Sequence, residues 1–122
     1  ATFIDDTYNA NPDSMIAAID ALCGLPCAGH RMAVLGDMFE LGPESAALHR
    51  KVFEHAGRSG LYRVYGVGAM SSTCPCDVAL PESGDLGRRL REDVRPGDLI
   101  LVKASHSMKL GGFLCESEVT DA

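Results

Sequence analysis

The sequence predicts an open, mostly parallel α/β sheet with helices on both faces. Short apolar runs alternate repeatedly with helix-spaced amphipathic segments. The runs are nearly continuous in apolar residues, as in strands covered on both sides. The 122 residues contain no repeat, low-complexity tract or Pro/Gly-rich linker that would divide them.

Thr2–Asp5 reads as a strand that carries Asp5 and Asp6 to its carboxyl end. Asn11 is a good N-cap, Pro12 suits the first helical position and Asp13 favours the first turn. Met15, Ile16, Ile19 and Leu22 then share one helical face, and Gly24 is the stop. Met32–Leu35 is the second strand and Gly36–Gly42 its exit loop. Pro43 and Glu44 open a second helix that turns Leu48, Val52, Phe53 and Ala56 inward and ends at Gly57 or Gly60. Tyr62–Val67 is the third strand. The segment from Met70 to Cys76 is too short and Pro-broken for a crossover helix and predicts a single turn. Asp77–Leu80 is a weak fourth strand, and Gly84–Asp93 is helical with Leu86 and Leu90 inward. After the Pro96-Gly97-Asp98 turn, Leu99–Val102 is a fully apolar strand ending at Lys103-Ala104-Ser105-His106-Ser107. Residues 1–110 thus form one Rossmann-like domain; residues 111–122 show little pattern.

Composition narrows the function. At 46% apolar and 23% charged residues the chain is globular, not disordered. Eleven Lys and Arg against 17 Asp and Glu leave a net charge of −6, so no basic field exists to gather nucleic acid or an anionic membrane. No run approaches the ~20 apolar residues of a membrane span. No signal peptide is evident, and a chain that starts without Met on an apolar run suits a piece of a longer protein. The five cysteines (Cys23, Cys27, Cys74, Cys76 and Cys115) cannot all pair within the chain. Their spacing is not that of a zinc site, which predicts reduced thiols in a cytoplasmic protein and no metal.

Three predicted strand ends carry polar clusters: Asp5 to Asn11, Gly36 to Glu40, and Lys103 to Lys109. Ligands of parallel sheets bind beyond the carboxyl ends of the strands. If these three strands are neighbours, one rim holds carboxylates, amides, an aromatic ring, hydroxyls and amines, a mixture suited to a zwitterionic or phosphorylated small molecule. No Walker A loop occurs, and Gly66-Val67-Gly68 lacks the third glycine of a dinucleotide fingerprint. Of the histidines, His49 suits a structural or surface role, His30 and His55 suit solvent, and His106 is the most functional in setting. The Arg88-Arg89-Leu90-Arg91 run suits a helix surface.

Asp5-Asp6-Thr7-Tyr8-Asn9-Ala10-Asn11-Pro12-Asp13-Ser14-Met15 closely resembles the opening of the C-terminal domain of one class of Mur ligases, the UDP-N-acetylmuramoyl-tripeptide–D-alanyl-D-alanine ligases. Val34 to Gly42 followed by Ser45 and His49 resembles a second signature, and Leu101 to Met108 a third. The resemblance implies the closing domain of a three-domain, ATP-dependent enzyme of peptidoglycan synthesis. Its N-terminal domain would hold the UDP end, and its central domain the P-loop and Mg. The family activates the tripeptide carboxylate as an acyl phosphate, which the D-alanyl-D-alanine amine attacks; this chain alone would be inactive. By the same resemblance Asp6, Tyr8, Asn9 and Asn11 meet ATP. Asp37 and Glu40 face the cleft, and Lys103, Ser105, His106, Ser107 and Met108 help position the incoming dipeptide. No catalytic or metal-ligating residue is assigned to this chain. The family usually has Lys-Gly-Ser-Arg-Ser where Lys103-Ala104-Ser105-His106-Ser107 stands, and a glutamate where Gly111 stands. Two other functions fit the residues: a non-catalytic small-molecule-binding module, and a sister ligase for another amino acid.

Overall fold

The computed structural model describes residues 1–5, 11–39, 41–103 and 119–121, with backbone alone for Asp5, Ser83 and residues 119–121. The elements are β1 (Thr2–Asp5), α1 (Pro12–Cys23), β2 (Arg31–Gly36), α2 (Ser45–Arg58), β3 (Arg63–Val67), β4 (Val78–Leu80), α3 (Leu86–Asp93), β5 (Leu99–Lys103) and β6 (Val119–Asp121). Single 3₁₀ turns occupy Gly42–Glu44, Ser71–Thr73 and Ser83–Asp85. Every strand pairing among the described residues is parallel, in the order β4-β3-β2-β5-β1-β6. The expected α/β architecture is therefore present. No element is predicted in 111–122, yet Val119–Asp121 pairs with β1 along Phe3 to Asp5.

The strand period of two sorts side chains into two cores. On one face Met32, Val34, Tyr65, Ile100 and Val102 pack with Leu86 and Leu90 of α3. On the other, Ala33, Leu35, Val64, Leu99 and Leu101 pack with Met15, Ile19 and Leu22 of α1 and with Val52, Phe53 and Ala56 of α2. Helices thus cover both faces, which is why β2 and β5 tolerate no polar residue in mid-strand. The chain steps outward from β2 to β3 to β4, with α2 on one face. It then returns through α3 on the other face to place β5 between β2 and β1.

Local chemistry explains the helix ends. The Asn11 side chain accepts the Ser14 amide at 2.9 Å, and the Ser14 hydroxyl reaches back to the Asn11 backbone, a reciprocal cap. Pro43 and Glu44 form a 3₁₀ turn instead of the first turn of α2, which starts at Ser45. The buried stripe of α2 holds His49 in place of the expected Leu48, which is only half-buried. His55, expected in solvent, lies half-buried with Nε2 2.7 Å from the Asp20 carboxylate of α1. His30 is exposed as expected and stacks on Tyr62 at 3.9 Å between ring centroids. At the amino ends of the strands the buried Asp98 carboxylate accepts the amides of His30 and Arg95 at 2.8 and 2.9 Å, which fixes the start of β5 against β2.

One polar clamp joins α3 to β3. The Tyr65 hydroxyl donates to Asp93 Oδ2 at 2.6 Å; Arg89 Nε and Arg63 Nη1 approach the same oxygen at 2.9 and 3.1 Å. Burial pushes the Asp93 carboxyl up. The Tyr65 hydroxyl and the two guanidinium groups outweigh it and hold the carboxyl below its ordinary range. Burial, then the bond to Asp93, pushes Tyr65 up to about 12. Asp93 therefore stabilises the fold above its unfolded titration near about pH 4, and that contribution is lost as pH falls through its native titration. Tyr65 contributes below about pH 10, and its share is lost as pH rises toward its native value. Tyr65→Phe is expected to lower the unfolding free energy by about 1–3 kcal/mol at neutral pH. It should also flatten the decline above about pH 10, where the unfolded phenol ionises. Urea denaturation at pH 7 and at alkaline pH tests both.

Candidate functional site

Placing β5 between β2 and β1 aligns the carboxyl ends of these three strands. Asp5 pairs with Val102 across β1 and β5, and Leu35 pairs with Lys103 across β2 and β5. The three polar segments singled out in the sequence therefore leave the sheet from neighbouring strands, at the rim where parallel sheets bind ligands. Lys103, 2% exposed, ends the central strand of the three. Asn11 lies at the start of α1, where its side-chain oxygen is engaged in the cap. Asp6, Tyr8, Asn9, Glu40, Ser105, His106, Ser107 and Met108 lie outside the described residues.

The exit loop of β2 is held by its own polar groups. Asp37, expected among the cleft-facing groups, is buried. Its carboxylate points at the backbone beyond β3, accepting the Ser71 amide on Oδ1 at 2.7 Å and the Met70 amide on Oδ2 at 3.2 Å. The next residue, Met38, donates its amide to His49 Nε2 at 2.9 Å, and His49 Nδ1 lies 2.7 Å from the Ser45 carbonyl. The Ser45 hydroxyl in turn contacts Met70 Sδ at 3.2 Å. A closed circuit thus runs through Asp37, Met38, His49, Ser45 and Met70, and it ties the exits of β2 and β3 to the start of α2. Beyond it Phe39 stands in solvent, 49% exposed.

The glycines after β3 make this bracing possible. Gly68 has φ +120°, and a Cβ there would lie 2.5–2.7 Å from the Asp37 carboxylate atoms. A Cβ on Gly66 would meet the Ser71 carbonyl at 2.5 Å. The Gly-Val-Gly pattern, insufficient as a dinucleotide fingerprint, is explained here by close packing around Asp37 and Ser71. The partner amides of Met70 and Ser71 are invisible to motif reasoning because backbone donors leave no residue signature; only the glycine pair hints at them.

Elsewhere chemistry is muted. Burial pushes the Cys74 and Cys76 thiols up, away from the nucleophilic thiolate. Cys23 and Cys27 sit 3.5 Å from the Ser59 and Gly97 carbonyls. Among the described residues no three His, Cys, Asp or Glu side chains are grouped to hold a metal. No described helix is long and apolar enough to cross a membrane.

A family model described as "Mur ligase, glutamate ligase domain" matches residues 1–106. The chain is 38% identical, over 92% of its length, to the UDP-N-acetylmuramoyl-tripeptide–D-alanyl-D-alanine ligase of Mycobacterium leprae, and covers 26% of that protein. Among solved structures it resembles the MurF ligase of Thermotoga maritima in complex with ADP, with TM-score 0.77 and 30% identity over 92% of this chain and 26% of that one. It also resembles MurF of Acinetobacter baumannii, with TM-score 0.81 and 27% identity over 93% of this chain and 26% of that one. The chain spans about a quarter of the length of these relatives.

Two substitutions test the bracing. Gly68→Ala places a methyl group against the Asp37 carboxylate in a left-handed conformation and is expected to destabilise the fold by about 1–3 kcal/mol. Asp37→Ala leaves two backbone amides without their acceptor and is expected to cost about 1–3 kcal/mol per orphaned buried donor. Chemical denaturation measures both, and amide exchange at Met70 and Ser71 should accelerate in Asp37→Ala.

Proposed function

Because the chain belongs to the Mur ligase family, we propose that it acts as the C-terminal, closing domain of a ligase that joins D-alanyl-D-alanine to UDP-N-acetylmuramoyl-tripeptide at the expense of ATP. The observation that carries this reading is the insertion of β5 between β2 and β1, which brings into line the three strand ends that lead into the signature segments. Similarity to the UDP-N-acetylmuramoyl-tripeptide–D-alanyl-D-alanine ligase of Mycobacterium leprae supports the choice of substrates.

In the proposed reaction a tripeptide carboxylate oxygen attacks the γ-phosphorus of ATP. ADP leaves and an acyl phosphate forms. The dipeptide amine then attacks the acyl carbon, phosphate departs with the C–O bond electrons, and the amine gives up a proton. We assign the phosphate-gripping loop and Mg to parts of the ligase outside this chain, which has no Walker A sequence and no grouped metal ligands among its described residues. Mg would supply charge neutralisation at the phosphates. This chain's share is to complete the cleft. The segment of Asp6, Tyr8 and Asn9, which leads into the Asn11 cap, would lie toward the ribose and base of ATP. Glu40 would face the cleft from the loop braced by Asp37. Lys103 with Ser105, His106, Ser107 and Met108 would face the dipeptide. On this reading the isolated chain turns over no ATP, and the ligase works in the cytoplasm, where its nucleotide substrates are.

The reading is tested by phosphate release from a ligase containing this chain, with the UDP-linked tripeptide and D-alanyl-D-alanine omitted in turn. Release that needs both is expected; release independent of the dipeptide overturns the substrate assignment. His106→Arg replaces an imidazole with a permanent cation and should lower KM for the dipeptide severalfold at about pH 8. An unchanged KM removes His106 from the dipeptide site.

A further inference from the structure

The fully buried imidazole of His49 is occupied on both nitrogens, and its partners dictate its protonation. A backbone carbonyl can only accept, so Nδ1, 2.7 Å from the Ser45 oxygen, must carry a proton. A backbone amide can only donate, so Nε2, 2.9 Å from the Met38 nitrogen, must be bare. One neutral tautomer satisfies both bonds; the other tautomer and the imidazolium each set a donor against a donor at Met38.

The bond falls where the loop changes direction between core and rim. Met38 is buried at 2% with α1 and α2, whereas Phe39 is exposed at 49%. On the other side of Met38, the Asp37 carboxylate holds the amides of Met70 and Ser71. The loop is therefore pinned at two successive residues, by α2 and by the β3 exit, just before it projects beyond the sheet. It leaves β2 beside β5, whose last residue is Lys103. An apolar side chain at position 49 would fill the stripe shared with Val52, Phe53 and Ala56 but would leave the Met38 amide without this acceptor.

We propose that His49 is a positioning residue of the ligase site: its Nδ1–H tautomer latches the Met38 amide and thereby fixes where the β2 exit loop meets the substrate cleft. The kinetic part of this inference rests on the ligase function proposed above; the latch itself does not.

Ring-nitrogen NMR of the ¹⁵N-labelled 122-residue chain should show a proton on Nδ1 and none on Nε2 of His49, and the Met38 amide should exchange slowly. Gln at this position can place a carbonyl oxygen near Nε2, whereas Leu cannot. Met38 protection should therefore survive in His49→Gln and fall in His49→Leu. In the ligase, His49→Leu should reduce kcat by about tenfold or more through misplacement of the loop, with KM for ATP within about twofold, and His49→Gln should recover most of the loss. A proton on Nε2, or equal Met38 exchange in the Leu variant and the parent, overturns the latch. Equal kcat in a folded Leu variant overturns the positioning role. If the unsubstituted ligase releases no phosphate, the proposed function and the kinetic role fall together, while the NMR result still decides the latch.

Discussion

Burial of β5 on both faces and both edges is the constraint from which the rest of the structure follows. A strand between two others must be apolar on each side, and Leu99 to Val102 are buried without exception. Ile100 and Val102 feed the core under α3, while Leu99 and Leu101 feed the core under α1 and α2. The strand can reach its place only after β2, β3 and β4 have stepped outward, so α3 must return across the opposite face. That return covers the second face of the sheet and brings Lys103 into line with the ends of β1 and β2. Core and rim therefore have one origin.

Rigidity at the rim comes from backbone donors meeting side-chain acceptors. Asp37 and His49 are polar residues in buried positions, which is costly unless their hydrogen bonds are made. Here they accept the amides of Met38, Met70 and Ser71, groups that leave regular structure at the strand exits and need acceptors. The cost of burial and the need of the loops offset one another. Gly68 completes the arrangement, because only a residue without Cβ leaves room for the carboxylate. The result is a fixed loop with one apolar side chain, Phe39, turned to solvent beside the central strands.

The opposite end of the sheet works by related chemistry with a purely structural result. Asp98 accepts two backbone amides and locks the start of β5 to β2. Asp93 gathers Tyr65, Arg63 and Arg89 and locks α3 to β3. Three buried or half-buried carboxylates thus serve as joints, and the sequence alone does not tell Asp37, at the rim, from Asp93 and Asp98, far from it.

The sequence by itself determined the parallel α/β class, the Asn11-Pro12 start of α1, the single turn after β3 and the inward faces of α1 and α3. Those features follow from local periodicity, capping and proline stereochemistry, which act within a few residues. The family was legible as well, since its signatures are contiguous words. Tertiary structure alone decided that β5 enters between β1 and β2, that Val119–Asp121 adds a strand, that His49 displaces Leu48 from the buried stripe, and that Asp37 binds backbone amides. Each depends on groups 11 to more than 100 positions apart. A strand's neighbour and a carboxylate's partner are fixed by which surfaces meet when both cores close, and no spacing along the chain encodes that meeting.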